Sequence, residues 1–384
     1  MDPGRTSEAT IDHAALRQNV ALAETLAQGR ELIAVVKADA YGHGAVSVAR
    51  TLVEAGCRQL AVVSVEEAVI LRDAGLAAPS ILVLSGVRSS VEAEEVARRR
   101  LTPVLHDDET RALVAEASRS LDAPIAVQVE VDTGMSRMGV PSGRAVDFLA
   151  QVAVSPELDL EGVFTHFSRA DEIDLEPCFE QLSVFRTILE SAHERGARPS
   201  SIHVANSAGL LAGKPILDAL PEVTAVRPGL MLYGVRPAPQ FDFPLQAVMC
   251  LQTRVVRLQD AVPGQPVGYG ASYRVNAKTQ IATLPLGYAD GVPCASSGRG
   301  QVWIDGERYP IVGRVSMDYI GVDVGPSSRA RRVGLGQRAV IFGNAGREAC
   351  GIAVEEAASW AGTIPYEPLT RVGQRVPRRD VYSS

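Results

Sequence analysis

The chain has 384 residues, 46% of them hydrophobic, and a formal net charge of -7 at pH 7. That composition supplies a large apolar core, and the acidic balance, with no long basic run, argues against a nucleic-acid surface. The length suggests two domains, no apolar run approaches the roughly 18 residues of a membrane span, and the polar start lacks a signal-peptide core, so a cytoplasmic protein is expected.

After a first helical pattern, "IDHAALRQNVALAETLAQ", the chain alternates short apolar runs with helix-period segments. The runs occupy 31–38, 59–64, 80–86, 101–107, 125–132, 160–168, 201–206 and 224–234. Segments between them, such as "GAVSVARTLVEAG", place apolar residues at i, i+3, i+4 and several end on glycine, as helix C-termini do. Strand–helix alternation implies parallel strands with right-handed crossovers. Eight such units match an α/β fold of the TIM type, a (β/α)8 barrel, here assigned to residues 1–240. The rival, a doubly wound open sheet, lacks its marker, because no GxGxxG follows the first strand. From 241 to 384 the texture changes to strand-like stretches split by Gly, Pro and Asp, such as "TQIATLPLGYADG", which predicts a mostly β C-terminal domain. Its one clear helical period is "GIAVEEAASWAG" at 351–362.

The five cysteines (Cys57, Cys178, Cys250, Cys294, Cys350) are odd in number and lack CxxC spacing. They read as reduced thiols, with neither a disulfide framework nor a metal site expected. Lysine occurs only at 37, 214 and 278. Codon bias explains the skew, but a function requiring an amine has just three candidates. Lys214 and Lys278 stand in polar turns and are expected to be solvated. Lys37, in "AVVKADAYGHG", ends the first strand beside the barrel mouth, where active sites lie. There it is a phosphate contact, an ion-pair partner or a carbonyl-condensing amine. The seventh and eighth units add Asn206 and Ser207 in "HVANSAG" and the amides of Gly229 and Leu230 in "VRPGLMLYG". Barrels bind phosphate at these two loops, although NSAG alone also reads as a helix N-cap. Together with Lys37 they suggest a phosphorylated aldehyde, pyridoxal 5'-phosphate.

The segments "AVVKADAYGHG", "VDTGMSRMGV", "THFSRAD", "HVANSA", "VRPGLMLYG", "GYGASY", "LPLGYADG", "VGRVSMD" and "RVPR" resemble, in order from about residue 10 to 378, the alanine racemase family. That family pairs an α/β barrel with a β domain and uses pyridoxal phosphate to interconvert L- and D-alanine for peptidoglycan. The resemblance implies that Lys37 holds the cofactor and serves as base on one face. Tyr41, Ser207, Tyr366 and the Gly229 and Leu230 amides would meet the phosphate, with Asn206 close by. Arg227 would face the pyridine nitrogen, making the ring a weaker electron sink than a carboxylic acid would. The base on the other face would be Tyr269, reaching across from the second subunit of a homodimer. A tyrosine ordinarily loses its proton near pH ~10, and His166, with His203 acting through Arg227, would support the phenolate. Arg137 would bind the substrate carboxylate, Met317 and Tyr288 would line the entrance, and Asp318 would support them.

One position departs from the family. A lysine, frequently carbamylated, often stands seven residues before the arginine of "DTGMxR" and orients it; here that residue is Glu130. Alternation in "VQVEVD" puts Gln128, Glu130 and Asp132 on one strand face. Glu130 is expected to give Arg137 a permanent carboxylate, with a purely structural ion pair as the alternative. A shifted Arg137 would tolerate serine or another small amino acid. Cys294, near the entrance, reads as a small apolar residue. A fold-type III amino-acid decarboxylase is disfavoured by Arg227 and "GYGASY", and a cofactor carrier by the long β domain.

Overall fold

The computed structural model describes residues 6–121, 123–326, 328, 333–344 and 351–382. Among these, eight parallel strands lie edge to edge in chain order: Glu31–Val35, Gln59–Val62, Ser80–Val83, Thr102–Leu105, Ile125–Asp132, Leu158–Phe164, Ser201–His203 and Ala225–Val226. The last pairs back onto the first, Ala225 opposite Glu31, and closes the barrel. Each of the eight apolar runs contains or overlaps one strand. The last run supplies only two strand residues and then tightens into a 3-10 turn, Leu230–Tyr233.

Local chemistry sets where the helices begin. The helix Val65–Asp73 starts at Ser64, and Glu67 reaches back to accept the amides of Val63 and Ser64. The helix Asp108–Ser118 starts at Asp107, whose carboxylate accepts the Thr110 amide. Such reciprocal caps fix the strand-to-helix turns at the barrel mouth.

Most of the remaining strands form a second, mostly antiparallel sheet, with Pro266–Val267 and Tyr273–Arg274 as a separate two-stranded ribbon. The longer described helix of this domain, Val354–Ala361, lies where the sequence period places it. The sequence division put residues 1–240 with the barrel. The segment Glu8–Asp12 departs from it, running between Met249–Arg254 and Arg378–Val381 in the second sheet. Five residues of alternating burial carry no helix period, and only their distant partners make them a strand. The second domain also presses on the mouth through the short helix Tyr366–Thr370. A Cβ at Gly42 would sit 2.3 Å from the Leu369 carbonyl oxygen, so glycine permits this close approach. No helix among the described residues is long and apolar enough to cross a membrane.

Candidate active site

Lys37 opens a left-handed turn. Ala38, Asp39, Ala40 and Tyr41 have φ of 53°, 54°, 52° and 54°, a conformation that costs non-glycine residues about 1–2 kcal/mol each. Surrounding groups hold it in place. The Ala38 amide donates to Glu67 Oε1 at 2.7 Å, the Ala45 amide to Asp39 Oδ1 at 2.7 Å, and Arg378 Nε to the Gly42 carbonyl at 3.0 Å. Buried His43 places Nδ1 2.9 Å from the carbonyl oxygens of both Ala40 and Tyr41, so Nδ1 carries the hydrogen. Burial pushes His43 down to about 4, keeping the ring neutral. Burial first, then the positive charge of Arg137, lowers the pKa of Lys37. Its amine therefore becomes a free nucleophile and base more readily than an ordinary lysine. Lys214, paired with Asp218, and Lys278 are exposed, as expected from the sequence.

Ser207 Oγ accepts the amides of Gly229 at 2.9 Å and Met231 at 3.2 Å, tying the seventh loop to the eighth. Asn206 caps the short helix Ser207–Ala212 through the Gly209 amide, so the N-cap reading holds for it. A Cβ at Gly229 would sit 2.4 Å from Tyr41 Oη, so this backbone and that phenol share one cradle. The rings of Tyr233 and Tyr366 lie 4.8 and 6.1 Å from Tyr41. Leu230 is buried behind Gly229.

Arg227 is 3% exposed, and no carboxylate among the described residues lies within ion-pair distance of it. Its guanidinium donates to the carbonyls of Thr165 at 2.8 Å and His203 at 3.2 Å, to His203 Nδ1, and to His166 Nδ1 at 3.2 Å. It stacks 4.5 Å from the Phe164 ring. These contacts settle the tautomer of His203: Nδ1 accepts, so Nε2 donates to Gln128 Oε1 at 2.7 Å. Burial lowers Arg227 to about 10, still protonated near neutrality. Burial and then Arg227 hold both histidines well below the usual imidazole range.

Glu130 is buried as the strand alternation predicts, but the group beside it is His106, with Nδ1 3.4 Å from Oε2. Arg137 is exposed and makes no ion pair among the described residues, so the expected direct contact from Glu130 is absent in this geometry. The reason is register: the fourth strand delivers His106 beside Glu130, whereas Arg137 lies beyond the loop folded around Asp132. On the second domain Tyr269, Tyr288 and Met317 are 70%, 48% and 52% exposed. Tyr288 and Met317 adjoin, through the Tyr288 amide on Ser316 and the Ala289 amide on Met317. Arg375 braces them, donating to Asp290, to Asp318 at 2.8 Å and to the Met317 carbonyl. Cys294 is exposed and Cys57 and Cys178 are buried, while Cys350 lies outside the described residues. Among the described residues no hydrogen bond joins Tyr269 to Lys37 within one chain.

His106, Glu67 and Arg375 were not singled out from sequence. His106 sits at a strand's C-terminal end, which is a positional signal. Glu67 and Arg375 act through contacts with distant segments, for which the sequence holds none.

The residues at the mouth fit pyridoxal phosphate. Lys37 is an amine of lowered pKa for the aldehyde, Tyr41, Ser207 and Gly229 form a cradle with no room for a side chain at 229, and Arg227 is a buried cation without an anionic partner among the described residues.

Comparisons agree with this chemistry. Residues 11–237 match the family model for the N-terminal domain of alanine racemase, and 248–380 that for its C-terminal domain. A protein named alanine racemase from Syntrophobacter fumaroxidans is 41% identical over 369 residues, covering 95% of this chain and 94% of that one. Alanine racemase from D-cycloserine-producing Streptomyces lavendulae superposes with a TM-score of 0.90 at 33% identity, covering 100% and 99% of the two chains. Alanine racemase from Bartonella henselae, solved with covalently bound pyridoxal phosphate, superposes with a TM-score of 0.87 at 29% identity, covering 98% and 100%.

Proposed function

The chain belongs to the alanine racemase family, and on that footing we propose that it interconverts L- and D-alanine with pyridoxal 5'-phosphate, in the cytoplasm, to supply D-alanine for peptidoglycan. The observation that carries this reading is the pairing of a low-pKa amine at Lys37 with a buried guanidinium at Arg227. Lys37 would hold the cofactor, the Tyr41–Ser207–Gly229–Leu230 cradle and Tyr366 its phosphate, and Arg227 its ring nitrogen. Bound there, pyridoxal phosphate supplies a carbonyl for the substrate amine and a conjugated ring that acidifies the Cα–H bond.

The protein's own groups do the rest. Arg137 holds the substrate carboxylate. The Lys37 amine takes the Cα proton from one face, and the Tyr269 phenol delivers a proton to the other. Arg227 keeps its proton, so it would offer the ring nitrogen a hydrogen bond without protonating it. His166, and His203 by fixing Arg227, keep the positive field around the base. Tyr269, Tyr288 and Met317 stand exposed on the second domain, which supports a homodimer in which Tyr269 serves the other copy's barrel. We assign the domains to 1–240 and 241–384, with the first strand crossing over.

The test is incubation of the purified protein with single L-amino acids in D₂O. Deuterated D-alanine is expected. Carbon dioxide and an amine would instead mark a decarboxylase, no exchange a carrier, and preferential turnover of serine a different racemase.

A further inference from the structure

His106 closes the fourth barrel strand and Glu130 belongs to the fifth, and the register Leu105 opposite Val129 makes them neighbours. Their side chains are 4% and 10% exposed, with Nδ1 3.4 Å from Oε2. On its other edge Nε2 lies 2.9 Å from the Leu84 carbonyl oxygen. A carbonyl only accepts, so Nε2 carries a hydrogen. Nδ1 is buried without a hydrogen bond in this geometry. Were Glu130 ionised and Nδ1 bare, two lone-pair atoms would face each other out of reach of solvent, an arrangement with a large desolvation cost. One proton therefore belongs on this edge, either on Nδ1 beside a carboxylate or on Oε2 beside a neutral ring. Both arrangements give the pair zero net charge.

The surrounding charges bear on where that proton sits. Burial favours the neutral forms, lowering His106 and raising Glu130. Arg227, Arg137 and Lys37 draw Glu130 toward the carboxylate, Asp132 opposes them, and the Leu84 carbonyl and Asp107 favour imidazolium. None of these changes the count of one proton.

We propose that His106 is a positioning residue: by sharing a proton with Glu130 it keeps that carboxylate from pairing with Arg137, whose guanidinium stays available to the carboxylate of an amino-acid substrate. Two observations converge on this. Arg137 makes no ion pair among the described residues. Asp132, the other carboxylate nearby, is already engaged by the amides of Gly134, Met135 and Ser136 at 2.9, 2.9 and 3.1 Å. The inference rests on the reading that Arg137 binds the substrate carboxylate.

The test compares holoenzyme carrying His106→Leu, His106→Asn and the double change His106→Leu with Glu130→Gln. Losing His106 frees a charged Glu130 for Arg137, so KM for L-alanine should rise about tenfold while kcat moves much less. The dissociation constant of propionate, which has the carboxylate but no amine, should rise in parallel. Adding Glu130→Gln should restore most of both losses, because an amide has no charge to offer Arg137. His106→Asn, whose amide can donate to Glu130 from the same place, should lose less than His106→Leu. Should His106→Leu fail to fold, His106→Asn with and without Glu130→Gln gives the same comparison. Unchanged KM and propionate binding in His106→Leu, or losses that add in the double variant, would overturn the proposal. An unaltered holoenzyme that racemises no alanine would instead remove the function itself, and this inference with it.

Discussion

An arginine at position 37 would keep its proton at every physiological pH and condense with no aldehyde, so the requirement for lysine there is chemical. Lys37→Ala should abolish the visible absorbance of bound pyridoxal phosphate as well as turnover; absorption spectra check this directly. The positive charge of Arg137, after burial, depresses the Lys37 amine. Arg137→Gln removes it, so the pH midpoint for capture of the aldehyde by cofactor-free protein should move upward, read from capture rates against pH. His43 offers a second titration. Its folded value of about 4 lies below the ordinary ~6.5 of an unfolded histidine. Above that ordinary value both states are neutral and the fold has its full stability. As pH falls from about 6.5 to 4 the unfolded chain takes up a proton the folded one refuses, at a cost approaching roughly 3 kcal/mol. Melting curves across that window should be flatter for His43→Phe. The place of Lys37 at a strand end was legible in the sequence, whereas Arg227 stood out only through the family resemblance. Glu130 was legible as inward-facing, but its partner was not, since His106 is 24 residues away and only the strand register joins them.

At the scale of elements, the eight strands could be read because apolar runs, capping residues and terminal glycines agree along the barrel. The left-handed turn could not. "KADAYG" carries no glycine from 38 to 41, and nothing local favours positive φ there. It is held by Glu67 and Arg378 from outside and by the turn's own Asp39, which accepts the Ala45 amide. Ala38 is exposed and its backbone amide donates to Glu67. Ala38→Gly should therefore stabilise the protein by about 1 kcal/mol, the left-handed cost being relieved faster than unfolded freedom is gained. Denaturant titration measures that change. Glu67→Gln should act oppositely, loosening the turn and slowing cofactor binding, because a neutral amide is a poorer acceptor for the Ala38 and Val63 amides.

For the whole molecule, a barrel followed by a β domain was legible from the change in texture along the chain, but an assembly was not, since composition says nothing about which faces meet. If Tyr269 completes a second copy's site, mixing Lys37→Ala with Tyr269→Ala chains should create one intact site in each mixed dimer. After random exchange, about a quarter of wild-type activity should return. Mixtures that stay inactive would place both bases in one chain.

The first strand has a consequence for how the chain is made. Glu8–Asp12 leaves the ribosome well before its partners, Met249–Arg254 and Arg378–Val381. At roughly 5–20 residues per second, the wait for the nearer partner is on the order of ten seconds to a minute. Through that interval the nascent barrel can close around its eight strands while an unpaired edge trails from its front. His13, directly after that edge, lies 2.9 Å from Asp380 only after the segment Arg378–Val381 has been made. Segments far apart in the chain, neighbours in the finished sheet, thus meet only after the barrel between them has been made.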